Sequence, residues 1–268
     1  MPLSAQQAVE IEQLLKKQIR LMLADYSPEF INMPFQTRLL GKDRMALFSF
    51  IKLINTALET SVFNQIAALI AKPHFRQAIN HYKNFNNTIS SDSRIIIQQI
   101  LVNLKGGKYW SDKRKEIDMI LSVAQKGELK TIKRPRIDLF LEANDGTEYY
   151  FDLKATKPSY ENIVGFKRKM LEWVAIRGAT NPNPKIFTSL AITYNPYEPK
   201  PYARWAFQGM FDLPNEMKVA DEFWNFLGGP QTYEDLLTVI EKVGIELRPE
   251  LDKKFATFAP KSNLGVKL

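Results

Sequence analysis

The chain contains no cysteine, which excludes disulfide staples, thiol nucleophiles and thiolate metal sites. Histidine is nearly absent as well: His74 and His81 are the only two. They fall in a stretch expected to be helical, far in sequence from the candidate chemistry below, and no role is assigned to them. No long uninterrupted hydrophobic run occurs. The greasiest stretch, Met45 to Ala71, is broken by Lys52, Asn55 and Glu59 and reads as one or two buried helices, not a membrane span. Glu10 and Glu12 stand where the apolar core of a leader would lie. The expectation is a cytoplasmic protein, although the lack of disulfides fits other compartments too. There is no internal repeat and no low-complexity tract.

What is present is the balance of a globular protein: 268 residues, 45% hydrophobic and 25% charged. That length suffices for one large domain, or for a core with a helical appendage. The net charge of +8 is unevenly placed. Residues 101–210 carry 19 basic and 12 acidic side chains, a net +7, whereas the last 58 residues are net negative, with 7 basic and 10 acidic. A polyanionic partner follows from phosphate neutralisation and counterion release; a basic protein without such a partner has the same composition.

The first hundred residues read as mostly helical. Ser4 and Gln7 form a capping-box pattern ahead of an apolar stripe of Ala8, Ile11, Leu15, Ile19 and Met22. Further helices are expected over 42–60 and 62–85. Residues 91–104 fit a helix, with the Ile95-Ile96-Ile97 cluster leaving a strand open. Ser111 is placed as the cap of a helix with a buried stripe of Ile117, Ile120, Leu121 and Ala124. Strands are expected at 137–143, 148–154 and 186–194, and helices at 161–177, 216–227 and 233–243. The implied organisation is a helical N-terminal region (1–110), a core (111–210) and a C-terminal helical extension packed on it (211–268).

The informative segment runs from Pro135 to Pro158, PRIDLFLEANDGTEYYFDLKATKP. Its Asn144-Asp145-Gly146 turn permits two registers. A two-residue Asp-Gly loop pairs Asn144 with Thr147; a three-residue loop closed by a left-handed glycine pairs Ala143 with Thr147. A slip of one residue moves every side chain of a strand to the opposite face. Only the three-residue loop gathers Ile137, Leu139, Leu141, Tyr149, Phe151 and Leu153 on one face. The same register sets Asp138 opposite Asp152, with Lys154 two residues on. Facing like charges destabilise a sheet, and a hard divalent cation such as Mg²⁺, which takes carboxylate oxygens, compensates directly. A solvated strand end, or Lys154 neutralising the pair by itself, is the competing explanation.

Pro135…Asp138 followed by Asp152-Leu153-Lys154 resembles the PD-(D/E)XK nuclease signature, with the departure that Arg136 and Ile137 separate the proline from the aspartate. The stretch DLKATKPSYENIVGFKRKMLEWVA, Asp152 to Ala175, looks like type II restriction endonucleases of the TdeIII type. The resemblance implies an α/β fold with a restriction-endonuclease-like core, a central mixed β-sheet flanked by helices. It implies a homodimer cutting double-stranded DNA at a short palindromic, GGNCC-like site, with Mg²⁺ as cofactor and Mn²⁺ as a substitute. Asp138, Asp152 and Lys154 would be catalytic. Asp138, Asp152 and the Leu153 carbonyl would hold metal, with Glu116 on the preceding helix as a further candidate. Lys154 would polarise the attacking water or stabilise phosphate charge.

Candidate DNA contacts are Lys157 after the motif, Lys167 and Arg168 on the following helix, and Lys200 and Arg204 in the proline- and tyrosine-rich segment 194–205, where Arg204 could read guanine. Each is equally explained as a solvated surface cation. Two other functions share this pattern: a structure-specific repair or recombination nuclease of the same fold, and a DNA-binding protein without catalysis.

Overall fold

A computed structural model describes residues 3–28, 33–83, 86–155 and 160–258. In chain order it contains α1 (Ala5–Asp25), α2 (Pro34–Leu40), α3 (Lys42–Ala57), a π-helical turn (Leu58–Val62), α4 (Phe63–Ala71), β1 (Gln77–Tyr82), β2 (Thr88–Ser90), α5 (Ser91–Lys105), α6 (Lys113–Leu121) and β3 (Leu129–Thr131). There follow β4 (Ile137–Glu142), β5 (Glu148–Lys154), α7 (Ile163–Thr180), β6 (Ile186–Ile192), α8 (Leu213–Glu216), β7 (Met217–Val219), α9 (Asp221–Gly228) and α10 (Thr232–Ala256).

The elements separate into two compact units, Phe63–Tyr233 and Leu3–Val62 joined by the chain from Glu234 on. This differs from the expected division at residues 110 and 210. The second unit draws on both chain ends: Leu23, Tyr26, Ala46 and Phe50 form its core, against which Leu251 and Phe255 of α10 pack. That spacing of four explains why α10 runs on to Ala256 through Pro249, beyond the Val243 end read from sequence. The Ser4–Gln7 capping box is present. The Met45–Ala71 stretch is helical but only partly buried. By length and composition alone Lys42–Ala71 could cross a membrane, and Leu47, Phe48, Ile51 and Leu53 are exposed.

The first unit is built on a five-stranded mixed sheet of order β1-β4-β5-β6-β7. β4 and β5 pair antiparallel as Leu139↔Phe151, Phe140↔Tyr150 and Leu141↔Tyr149, the register expected from the three-residue loop. The turn closes with Ala143 N–H donating to Thr147 C=O at 2.8 Å and Gly146 at φ +79°, a left-handed conformation that glycine adopts without Cβ strain. β6 lies parallel to β5, reached through the crossover helix α7.

The two sheet faces differ as the alternation dictates. The apolar face of β4 and β5 meets α9, with Phe151–Phe223 and Tyr149–Phe226 ring centroids 5.5 and 5.2 Å apart. The other face, carrying Asp138, Tyr150 and Asp152, lies under α7, where Tyr150 meets Trp173. α7 approaches α6 closely at Gly178: a Cβ there would come within 2.7 Å of both Ala124 and Leu121 side chains.

Three local expectations fail. Residues 217–219, read as part of a helix over 216–227, form the edge strand β7 beside β6. Residues 77–82 form an edge strand against β4, where a helix over 62–85 was expected, because pairing to β4 overrides the weak local helical pattern after Pro73. Asp112, not Ser111, caps α6 by accepting the Lys115 N–H, since Ser111 is used elsewhere.

Candidate active site

Continuing the β4–β5 ladder one step beyond Leu139↔Phe151 sets Asp138 opposite Asp152. Both carboxylates are buried, 3% and 1% exposed. Asp138 Oδ2 accepts the Leu153 N–H at 3.0 Å, whereas its Oδ1 is buried without a hydrogen-bond partner. Burial first, and then the neighbouring Asp152 charge, pushes the Asp138 carboxyl up to about 6. Burial would raise Asp152 as well, but Lys169 and Lys154 outweigh it and hold that carboxyl below its ordinary value.

Cations from three elements surround the pair. Lys154 Nζ donates to Asp152 Oδ1 at 3.1 Å and to the Leu153 carbonyl at 3.0 Å, and it lies 5.5 Å from the Phe166 ring centroid. An ammonium has three donors, so one N–H remains for a substrate oxygen or water. From α7, Lys169 Nζ reaches Asp152 Oδ2 at 2.7 Å. Arg136 Nε makes an ion pair with Asp138 Oδ1 without hydrogen-bond geometry. Its Nη2 lies 3.3 Å from His81 Nδ1, whose other ring nitrogen is 3.4 Å from the Asn64 amide. A guanidinium can only donate, so Nδ1 accepts; burial, followed by the Arg136 and Lys83 charges, holds the imidazole below its usual pKa.

Sequence reading missed three of these groups. Lys169 follows the candidate DNA contacts Lys167 and Arg168 directly in sequence and carries no separate role in the sequence reading. Its signal is that it sits four residues before Trp173, on a helix that folds back over the face bearing Asp152. Arg136 was noted as an interruption of the motif. His81 was placed in a helix remote from the site, yet it lies on β1 in line with Asp138 across the β1–β4 ladder, with φ +50°. A left-handed non-glycine residue in a strand is strained, and such residues gather at functional sites.

Other expected residues lie elsewhere. Glu116 is not brought to the carboxylate pair. It hydrogen-bonds the Lys167 ammonium and Ser111 Oγ, and Lys167 also binds both oxygens of Glu216, at 2.8 and 2.7 Å. Lys113 joins Glu216 at 2.9 Å. Burial raises the Glu116 carboxyl and lowers Lys113; it acts on Glu216 too, but Lys113 and Lys167 prevail and hold Glu216 low. Lys167 is 0% exposed, so the expectation that it contacts DNA is corrected. Arg204 makes hydrogen bonds to both carboxylate oxygens of Glu222, at 2.7 and 2.6 Å, and is not presented to a base edge in this state. Arg168 donates to Gln98, Lys200 is exposed, and Lys157 lies outside the described residues.

Asp138 Oδ1 is the atom that tests the fit of a metal ion. Apart from the Arg136 ion pair this buried oxygen accepts no hydrogen bond, and beside it stand a second carboxylate and a peptide carbonyl, the hard oxygen set a Mg²⁺ ion takes. Among the described residues no third acidic or histidine side chain joins them, so the remaining positions would fall to water or phosphate.

The pattern of one protein family, the type II restriction endonuclease HinfI, matches residues 4–244. The type II restriction enzyme HgiBI of Herpetosiphon aurantiacus is 27% identical over 225 residues, covering 82% of this chain and 80% of that protein. HgiCII of the same organism is 25% identical over 232 residues, covering 82% and 81%. MjaII of Methanocaldococcus jannaschii is 26% identical over 215 residues, covering 75% of this chain and 55% of that enzyme.

Proposed function

Because the chain belongs to the HinfI family of type II restriction endonucleases, and is thereby a site-specific deoxyribonuclease, we propose that it cleaves double-stranded DNA at Asp138, Asp152 and Lys154 with Mg²⁺. The family match is to HinfI, where the motif alone pointed to the TdeIII type. Family membership also favours restriction over repair and over binding without catalysis.

The observation that carries the site is the Asp138–Asp152 pair, buried in facing register, with one Asp138 oxygen held only by the Arg136 ion pair and by no hydrogen bond. Type II restriction endonucleases generally use divalent metal ions. Asp138, Asp152 and the Leu153 carbonyl would hold the ion, which when bound supplies Lewis-acid stabilisation of phosphate charge and a more acidic water. Mn²⁺ fits the same oxygen set. Glu116 is left out of this ligand set because Lys167 occupies its carboxylate.

The protein's own groups do the rest. Lys154 is anchored by Asp152 and the Leu153 carbonyl, which orients its remaining N–H to position the nucleophilic water or to meet charge developing on the phosphate. Lys169 keeps Asp152 ionised. Arg136, held by His81, counters Asp138 until another cation takes its place. Water attacks phosphorus and gives up a proton to solvent, the P–O bond to one deoxyribose oxygen breaks, and that oxygen leaves with a proton from solvent.

A palindromic, GGNCC-like target calls for two copies of the site related by a twofold axis, hence a homodimer. Arg168 and Lys200 are the remaining candidates for phosphate contact, and Arg204 for base contact once released from Glu222.

Plasmid digestion with Mg²⁺ followed by sequencing of the ends tests activity, target and cut position together. Discrete fragments sharing one end sequence are expected. Digestion only of branched or single-stranded DNA would overturn the restriction reading, and binding without cutting would overturn the catalytic one.

A further inference from the structure

The chemistry above leaves a buried four-charge cluster and an exposed aromatic loop unexplained, and Ser111 joins them. Ser111 Oγ is 2.7 Å from Lys167 Nζ, 3.0 Å from Glu116 and 3.2 Å from Glu216. Its backbone N–H donates to Gly209 C=O at 2.9 Å. The cluster therefore pins the end of the segment 106–111 to α6, α7 and α8. Desolvating four charges is costly, and such clusters are weak evidence for stability gain; here their geometric effect is to fix a loop.

That loop displays Tyr109 and Trp110, 38% and 69% exposed. They line a groove of about 590 Å³ with Leu104, Ile163, Val164 and Met210. A tryptophan offers a large contact area with only two side-chain torsions to order on binding, which is why such residues anchor interfaces. Ile163 and Val164 open α7, just before Phe166, whose ring lies beneath the Lys154 ammonium. The groove is therefore lined by the same first turn of α7 that carries Phe166. Lys105 and Lys108 flank the aromatics, both exposed, and neither forms an ion pair among the described residues. An apolar groove bordered by cations fits the sugar and base edges of a nucleic acid between its phosphates.

We propose that Tyr109 and Trp110, with Lys105 and Lys108, form a second contact surface for duplex DNA, gripping the segment beside the bond to be cut. The aromatic rings pack against sugar and base edges, and the lysines neutralise flanking phosphates. This deepens the nuclease reading and rests on it.

The test uses the full-length protein and a fluorescent duplex spanning the cleavage position mapped on plasmid DNA, with EDTA present to prevent cutting. Trp110→Ala should weaken binding about tenfold or more, the scale of truncating an interface tryptophan, while Trp110→Phe stays within about threefold. Lys105→Gln with Lys108→Gln should lower the slope of log affinity against log salt by roughly two phosphates' worth. Far-ultraviolet circular dichroism checks that the exposed substitutions leave the fold intact. Parental affinity and salt slope in these variants overturn the proposal. So does loss of oligomer by Trp110→Ala in sedimentation with duplex affinity retained, which would give the groove to a second copy of the chain. If the parent itself binds no duplex, the nuclease reading fails first, and the two failures are distinguishable.

Discussion

Lys169 Nζ stands 2.7 Å from Asp152 Oδ2, so a helix that follows the β4–β5 hairpin supplies the second ammonium on the more deeply buried of the two facing carboxylates. With Lys154 on the other oxygen, the two ammonium groups hold the Asp152 carboxyl below its ordinary value against the opposing effect of burial.

Removing that ammonium has a defined consequence. Lys169→Ala should raise the Asp152 carboxyl and move the acid limb of the cleavage–pH profile upward, with the larger rate loss at pH 6 than at pH 8. A profile superimposable on the parent's would remove Lys169 from the site.

Asp138→Ala, Asp152→Ala and Lys154→Ala should each lower plasmid cleavage by about 10³-fold or more, the scale of losing a principal electrostatic group, with the circular dichroism spectrum preserved. Cutting at the parental rate by any one of them excludes that residue from catalysis.

The raised Asp138 carboxyl is also a statement about stability. Its folded value of about 6 lies above the ordinary carboxylate value, so its contribution is fully present below about pH 4 and is lost as pH rises through 6. Metal-free protein should therefore be less stable at pH 7.5 than its Asp138→Asn variant, by about 1–3 kcal/mol, as read by urea denaturation. Equal or lower stability of the variant at pH 7.5 contradicts this.

The same proton competes with the cation. Mn²⁺ affinity, measured by calorimetry without DNA, should fall about tenfold per pH unit below 6 and level off above it. Affinity independent of pH between 5 and 7 would show that Asp138 is not a ligand.

Lys167 lies in the four-charge cluster instead of on the DNA-binding surface. Lys167→Met leaves Glu116 and Glu216 without their shared ammonium, and the expected loss is roughly 3–5 kcal/mol of unfolding free energy, with little change in the salt dependence of DNA binding. Parental stability combined with a reduced salt slope would restore the DNA-contact role.

The hairpin, its register and hence the facing of Asp138 with Asp152 are legible in residues 135–158 alone. Turn chemistry at Asn144-Asp145-Gly146 and period-two alternation are local, and a one-residue slip would have put Leu139 against Asp152. Legible in the same way are the Ser4–Gln7 cap and the extent of β5, each set by neighbours within a few residues. What surrounds the carboxylates, and which lysines reach them, follows from how distant elements pack. Lys167 and Lys169 are two residues apart on one basic run, yet one meets Glu116 and Glu216 and the other meets Asp152. The difference is the packing of α7 between α6 and the sheet, which depends on a close approach at Gly178. Likewise β1 and His81 reach the Arg136–Asp138 pair by pairing across more than fifty residues. Such contacts arise from burying faces against one another, and no local pattern of residue types encodes which face meets which.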